Sequence, residues 1–114
     1  MLLVNSFFMN INIKGTGIEL TPEIRSYLDK KIASLEKFVT EEDTGATANI
    51  EIGKTTNKHK SGIIFFTEIN FTIRKADLRV KAFGDSLMAS MDKAKDMALE
   101  RLRTEKDRTA SHQL

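Results

Sequence analysis

The chain has 114 residues, of which 40% are hydrophobic and 30% charged, and its formal net charge is +2 at pH 7. This length and composition are typical of one globular domain and exclude a disordered or membrane-embedded chain. The sequence has no cysteine, which excludes disulfides, thiol catalysis and thiolate metal sites and fits a cytoplasmic location.

Residues 1–8, MLLVNSFF, are apolar but too short to span a membrane, and they lack the basic flank and cleavage site of a signal peptide. We interpret them as a disordered N-terminal extension, with a partner-docking tail as the alternative. From Met9, apolar and polar residues alternate up to the GTG sequence that begins at Gly15. This alternation predicts a half-buried first strand.

The first helix is predicted from Leu20 to Val39. Thr21 is suited to cap the free N–H groups, Pro22 fits the first helical position, and Glu23 favours the positive end of the helix dipole. Apolar residues recur at three- and four-residue steps and form one stripe, which consists of Ile24, Leu28, Ile32, Leu35 and Val39.

Three further strands are predicted after this helix. Apolar and polar residues alternate from Ala46 to Ile52, from Ile63 to Arg74 and from Leu78 to Ala82. Residues 41–45, 55–62 and 75–77 are polar and contain turn-forming residues, so we expect loops there. The buried face of the longest strand is predicted to contain Ile63, Phe65, Thr67, Ile69, Phe71 and Ile73.

A second helix is predicted from a cap at Asp85 or Ser86 to about Arg108. Its buried stripe is predicted to contain Leu87, Met91, Ala94, Ala98 and Leu102. Residues 109–114 are then expected to form a flexible tail. A single domain would therefore span residues 9–108.

The order of elements predicts an α+β fold with the arrangement β-α-β-β-β-α. A right-handed crossover would make the first two strands parallel, and the following strands would form an antiparallel meander. Because each strand has one apolar face, we expect a four-stranded mixed sheet with both helices packed on one face. The open face would then carry Asn10, Asn12, Asn49, Asn70, Arg74, Arg79 and Lys81.

The sequence offers little chemistry for catalysis or for binding a metal or cofactor. The two histidines, His59 and His112, lie in a lysine-rich turn and in the predicted tail, and neither has carboxylates at metal-ligand spacing. No glycine-rich phosphate loop follows a strand. We therefore predict a protein that is not an enzyme, with no cofactor, metal or small-molecule substrate.

A binding surface on the helices is the remaining functional prediction. If the helices lie side by side, their outward faces would form a ridge that suits the phosphates of a folded RNA. A solvated helix face is the alternative explanation of these charges. The candidate RNA-binding residues are Lys30, Lys31, Lys37, Lys93, Lys95, Arg101, Arg103 and Lys106.

The overall sequence resembles the bacterial ribosome hibernation-promoting factors, also called ribosome-associated translation inhibitors or subunit-interface proteins. Two segments carry most of the resemblance, MNINIKGTGIELTPEIRSYLDKKIASLEKF at the start and GDSLMASMDKAKDMALERLRTEKD at the end. IEIGKTTNKHKSG and ADLRVKAFGD between them are also similar to the family. The resemblance extends from Met9 to about Asp107.

This resemblance implies the same fold and a cytoplasmic protein that occupies the mRNA–tRNA channel of the small ribosomal subunit in idle ribosomes. It further implies contacts with ribosomal RNA, inhibition of translation, a role in stress, and a monomer off the ribosome. The chain resembles the short form of the family, for which ribosome pairing would need another protein. A general RNA-binding or protein-interaction module of the same layered fold is the alternative.

The family's basic positions are only partly matched. Lys31 and Lys37 on the first helix and Arg103 and Lys106 on the second match basic positions of the family. The other corresponding positions are not basic here, and they are occupied by Ser34, Met97, Glu100 and Thr104; the usual tyrosine of the second helix is Met88.

Overall fold

The computed structural model describes residues 9–39, 45–56, 62–73 and 76–112, and it describes their side chains except those of residues 56 and 108–112. The predicted element order is confirmed. The elements are β1 (Met9–Thr16), α1 (Pro22–Glu36), β2 (Ala46–Thr56), β3 (Ile63–Ile73), β4 (Ala76–Gly84) and α2 (Leu87–His112). The predicted extension 1–8 lies outside the described residues, as does the predicted loop at 41–44.

The four strands form one mixed sheet in the order β1-β2-β3-β4. β1 and β2 are parallel, whereas β2–β3 and β3–β4 are antiparallel, as predicted from the crossover and the meander. Apolar residues from all four strands share one face of the sheet, as in the row formed by Ile13, Ile50, Ile69 and Val80.

Both helices cover this apolar face, as the alternation predicted. The buried core contains Leu28, Ile32 and Leu35 of α1 and four apolar residues of α2, which are Met91, Ala94, Ala98 and Leu102. One polar pair is buried among them. The Ser90 hydroxyl donates to the Leu87 carbonyl oxygen at 2.7 Å, so it accepts from the hydroxyl of Thr67 on β3 at 2.8 Å. Each buried hydroxyl is thereby satisfied.

The helix caps follow the predicted chemistry. The Thr21 hydroxyl accepts from the Ile24 N–H at 3.2 Å, and Pro22 is in the first turn of α1. At the start of α2 the Ser86 hydroxyl accepts from the Ala89 N–H at 3.1 Å. Of the two predicted cap residues, Asp85 and Ser86, it is therefore Ser86 that caps the helix. α2 ends at His112, beyond the predicted end at Arg108. No glycine or proline interrupts residues 103–112, and burial continues to Glu105.

The strands are longer than their predicted bounds. The GTG sequence was expected to end β1, but Gly15 and Thr16 remain paired with Ile52 and Gly53 of β2. Similarly, Ala76 and Asp77 were expected to form a turn, yet they belong to β4 and pair with Ile73 and Thr72 of β3. α1, in contrast, is shorter than the predicted Leu20–Val39 and runs from Pro22 to Glu36.

The predicted burial of β3 is wrong at its beginning. Ile63, assigned to the core face, is 54% exposed, and Phe65 is only half-buried. β4 ends at Gly84, opposite Phe65, so Ile63 lies beyond the strand that would flank it. Phe66 points to the open face by the alternation of the strand and is nevertheless only 6% exposed.

Replacing Ile32 by alanine should lower the free energy of unfolding by about 2–5 kcal/mol, because it leaves a cavity between α1 and the sheet. The same range is expected for Phe71→Ala. Ile63→Ala is the matched control and should cost less than about 1 kcal/mol, because the side chain is already exposed. Urea unfolding measures all three, and an unchanged midpoint for Ile32→Ala would contradict the assignment of the faces.

Candidate nucleic-acid interface

The two helices lie side by side and run in the same direction. Tyr27 and Lys31 in the middle of α1 contact Asp92 in the first turns of α2, and Phe38, just beyond α1, lies 5.9 Å from the ammonium of Lys106 further along α2. The outer surface of the domain on this side is therefore formed by two parallel helices with a groove between them.

A cluster of Tyr27, Lys31 and Asp92, here called the interhelix clamp, spans this groove. The Lys31 ammonium lies 2.9 Å from a carboxylate oxygen of Asp92 and 4.6 Å from the centre of the Tyr27 ring. The Tyr27 hydroxyl donates to the same carboxylate oxygen at 2.7 Å. These contacts join α1 to α2 through one carboxylate.

The interhelix clamp shifts the pKa values of both charged groups. The hydrogen bond to Asp92 raises the pKa of Lys31, and the hydrogen bonds from Lys31 and then Tyr27 lower the pKa of Asp92. The side chain of Lys31 is only 24% exposed. Its charge is therefore largely compensated within the protein, although it was one of the best-matched candidates for contact with RNA.

Four candidate residues are exposed, and their side chains have no ion pair, hydrogen bond or ring contact among the described residues. Lys30 lies on α1, Lys37 is the residue that caps the end of α1, and Lys93 and Arg103 lie on α2. Because a cation without an internal partner keeps its full charge for an external anion, these side chains are the best placed to contact phosphates. We refer to Lys30, Lys37, Lys93 and Arg103 as the open cations.

The remaining candidates have protein contacts. Lys95 is ion-paired with Asp96 at 2.9 Å, and Lys106 lies over the ring of Phe38. Arg101 lies on the opposite side of α2, where its guanidinium donates to the backbone oxygen of Arg79 on β4 at 3.4 Å. The structure therefore divides the eight predicted residues into open cations, residues near the helix groove, and an arginine beside the sheet edge.

The exposed face of α2 is mixed in charge. Asp96, Glu100 and Asp107 are exposed along the same helix as Lys93 and Arg103. Lys30 has a different setting. The exposed residues four positions before it and three positions after it are Ser26 and Ala33, and both are uncharged. Lys30 therefore has uncharged exposed neighbours at these steps, although Glu23 and Asp29 are also exposed on α1.

Sequence reasoning missed the roles of Tyr27 and Asp92. Tyr27 precedes Lys31 by four positions, a spacing that places the two side chains on one face of a helix and was a usable signal. Nothing in the sequence indicated that Asp92 would pair with Lys31, because the two residues are brought together only by the packing of the helices. Tyr27 also lines a shallow surface depression with Pro22, Glu23, Ser26, Lys30 and Met88.

The described part of the chain contains no group of three or more histidine, aspartate or glutamate side chains arranged to hold a metal ion. Within the same residues, no helix has the length and apolar character needed to cross a membrane. A four-stranded mixed sheet with two helices packed on one face thus defines the class, a two-layer α+β protein.

The chain belongs to the family described as sigma 54 modulation protein / S30EA ribosomal protein, whose profile matches residues 11–110. This is a ribosome-associated family that includes hibernation factors, and the match confirms the resemblance drawn from the sequence. The family's description names no enzymatic activity.

Solved structures share the fold. The N-terminal domain of Thermus thermophilus Protein Y is similar with a TM-score of 0.66 and 25% identity, over 84% of this chain and 98% of that one. A ribosomal subunit interface protein from Coxiella burnetii is similar with a TM-score of 0.68, over 87% of this chain and 99% of that one. Its identity is 17%, so this second likeness supports the fold alone.

The interhelix clamp predicts a pH-dependent stability. Because the folded-state pKa of Asp92 is lowered, its stabilising contribution is present above the ordinary carboxyl pKa of about 3.9 and is lost as the pH falls through the folded-state value. Asp92→Asn should therefore reduce the free energy of unfolding near neutral pH by up to about 1 kcal/mol, as is typical of a partly exposed pair.

Denaturant unfolding of the wild type and Asp92→Asn at neutral and at strongly acidic pH measures this effect. The difference between the two proteins should disappear in acid. Asp107→Asn is the matched control, because this exposed carboxylate has no ion pair among the described residues, and it should cause little change at either pH. An equal destabilisation by Asp92→Asn at both pH values would contradict a role for the carboxylate charge.

Proposed function

We propose that this protein binds the small ribosomal subunit and inhibits translation by occupying the mRNA–tRNA channel of idle ribosomes. The observation that carries this proposal is the family match over residues 11–110, which includes α1, β2, β3 and β4 entirely and most of β1 and α2. The mechanism is steric occupation of a channel, and no bond is made or broken. Off the ribosome the protein would be a cytoplasmic monomer.

The helical surface is the part of the molecule that we assign to ribosomal RNA. Its open cations are available to phosphates, and each phosphate contact releases counterions from the RNA. The spacing of these cations over two rigid helices favours recognition of the shape of a folded RNA, since base edges are poorly accessible in A-form helices. Lys37 of α1 and Arg103 of α2 are supported further, because both match basic positions of the family.

The double substitution Lys30→Glu and Lys37→Glu tests this assignment. We expect it to weaken binding to purified small subunits and to lower the slope of log affinity against log salt by about two, because each reversal removes one cation from a phosphate. Co-sedimentation with small subunits over a range of salt concentrations measures both quantities.

Arg25→Glu is the control for this experiment. Arg25 lies on the same helix but is paired with Asp29 at 3.2 Å, and it is not one of the open cations. Its reversal should leave the salt slope unchanged. If the double variant binds at moderate salt as tightly as the parent, the assignment of the helical surface to RNA is wrong.

A general RNA-binding or protein-interaction module is the second candidate function. The alternation of Lys93, Asp96, Glu100 and Arg103 along the exposed face of α2 favours it, because mixed charges suit a protein surface as well as a phosphate backbone. Competition separates the two functions. Initiation components should displace a channel-binding factor from small subunits, whereas a general RNA binder should be displaced by any long RNA helix.

A further inference from the structure

The interhelix clamp places a carboxylate on one of the cations of the helical surface. A carboxylate oxygen of Asp92 lies 2.9 Å from the Lys31 ammonium. A charge-assisted hydrogen bond between an ammonium and a phosphate oxygen has the same length, about 2.7–2.9 Å. The Asp92 carboxylate therefore has the charge and the position that an RNA phosphate bound to Lys31 would have.

Tyr27 holds this carboxylate in place. Its hydroxyl donates to the same Asp92 oxygen at 2.7 Å, so the oxygen that contacts Lys31 has two donors from α1. The ring of Tyr27 also lies 4.6 Å from the Lys31 ammonium. The cation is thus bounded by an anion and by an aromatic ring, and both belong to the protein itself.

The second paired lysine of the helical surface is arranged differently. Lys95 is paired with Asp96, which is its neighbour in sequence and whose side chain is 70% exposed. Asp92 instead reaches across to the other helix and is oriented by the Tyr27 hydroxyl. A carboxylate that is already oriented loses less side-chain entropy when it pairs. Asp92 is therefore the carboxylate better arranged to compete with RNA for a cation.

The pair of Lys31 and Asp92 lies at the surface and is exchangeable. The side chain of Asp92 is 48% exposed, and ion pairs of this exposure contribute little to stability. Lysine carries its charge on a flexible stem with three donors, so its ammonium can turn from one oxygen to another without movement of the helix. A phosphate brought to the groove would therefore compete with the carboxylate at little cost to the fold.

We propose that Asp92 is a specificity-determining residue, an internal phosphate mimic that keeps Lys31 from strengthening non-specific binding to RNA. Lys31 then contributes only where an RNA presents a phosphate at the groove and displaces the carboxylate, whereas the open cations attract the phosphates of any RNA. Specificity is a difference between affinities, and a group that penalises the wrong partner increases it. This proposal rests on the assignment of the helical surface to RNA.

Removing one charge makes the effect of Asp92 measurable. Asp92→Asn keeps the shape of the side chain and an oxygen that accepts from Tyr27, but it leaves the charge of Lys31 uncompensated. Each cation that neutralises a phosphate adds about one to the slope of log affinity against log salt. The variant should therefore bind RNA as a protein with one more open cation.

Titration of a fluorescently labelled RNA duplex of unrelated sequence and about 16 base pairs tests the proposal over a range of salt concentrations. We expect Asp92→Asn to bind this duplex about threefold or more tightly than the wild type at low salt, and to steepen the salt slope by about one. Its gain on purified small subunits should be smaller. Lys31→Gln should abolish the gain in the Asp92→Asn background and have little effect in the wild type.

Two control variants separate this effect from simpler ones. Asp107→Asn removes the same charge from the same helix without freeing a cation, because Asp107 has no ion pair among the described residues, and it should leave the salt slope unchanged. Tyr27→Phe loosens the interhelix clamp but keeps both of its charges, so it should also leave the slope unchanged. Thermal unfolding verifies that each variant is folded.

The proposal is wrong if Asp92→Asn binds the duplex no more tightly than the wild type, including the case in which neither protein binds. It is also wrong if Asp107→Asn gives the same gain, if the gain persists after Lys31→Gln, or if it is equal on small subunits and on the duplex. Failure of the proposed function is a different result, the absence of binding between the wild type and small subunits.

Discussion

One-sided burial of the sheet is the constraint on which the rest of the structure depends. Apolar residues occupy alternate positions of all four strands, so only one face can be removed from water, and both helices must pack there. The stripe of α1 supplies Leu28, Ile32 and Leu35 to this core. The arrangement leaves two exposed surfaces of different character, the outer faces of two parallel helices and the open face of the sheet.

Packing the helices side by side determines which charges remain available. Lys31 is brought against Asp92, and its cation is largely compensated there, whereas Lys30, one residue earlier, remains exposed and has no ion-pair partner among the described residues. A change of one position on a helix, a rotation of about 100°, thus separates an ion-paired lysine from one without an internal partner among the described residues. The number of basic residues on a helix therefore differs from the number of cations that the fold leaves uncompensated.

The sequence predicted the fold well because the fold depends on periodicity and caps. The stripe from Ile24 to Leu35 and the Thr21 cap are local signals, and they sufficed for α1. Element ends were less predictable, because Gly15 and Ala76 are held in strands by pairing with distant residues. The pairing of Lys31 with Asp92 and the exposure of Ile63 were not predictable, since each depends on which neighbours the tertiary structure supplies.

Two phenylalanines on the open face of the sheet illustrate the same dependence. Alternation alone places Phe66 and Phe83 on the open face, where two phenylalanines on separate strands have no evident relation in sequence. The antiparallel register makes them direct neighbours and brings Lys81 over both rings. A ring that is buried under a lysine needs no ligand to explain it, and this describes Phe66. Phe83 differs because about half of its surface still faces water, and this exposure follows from its position on the face of the sheet that no helix covers.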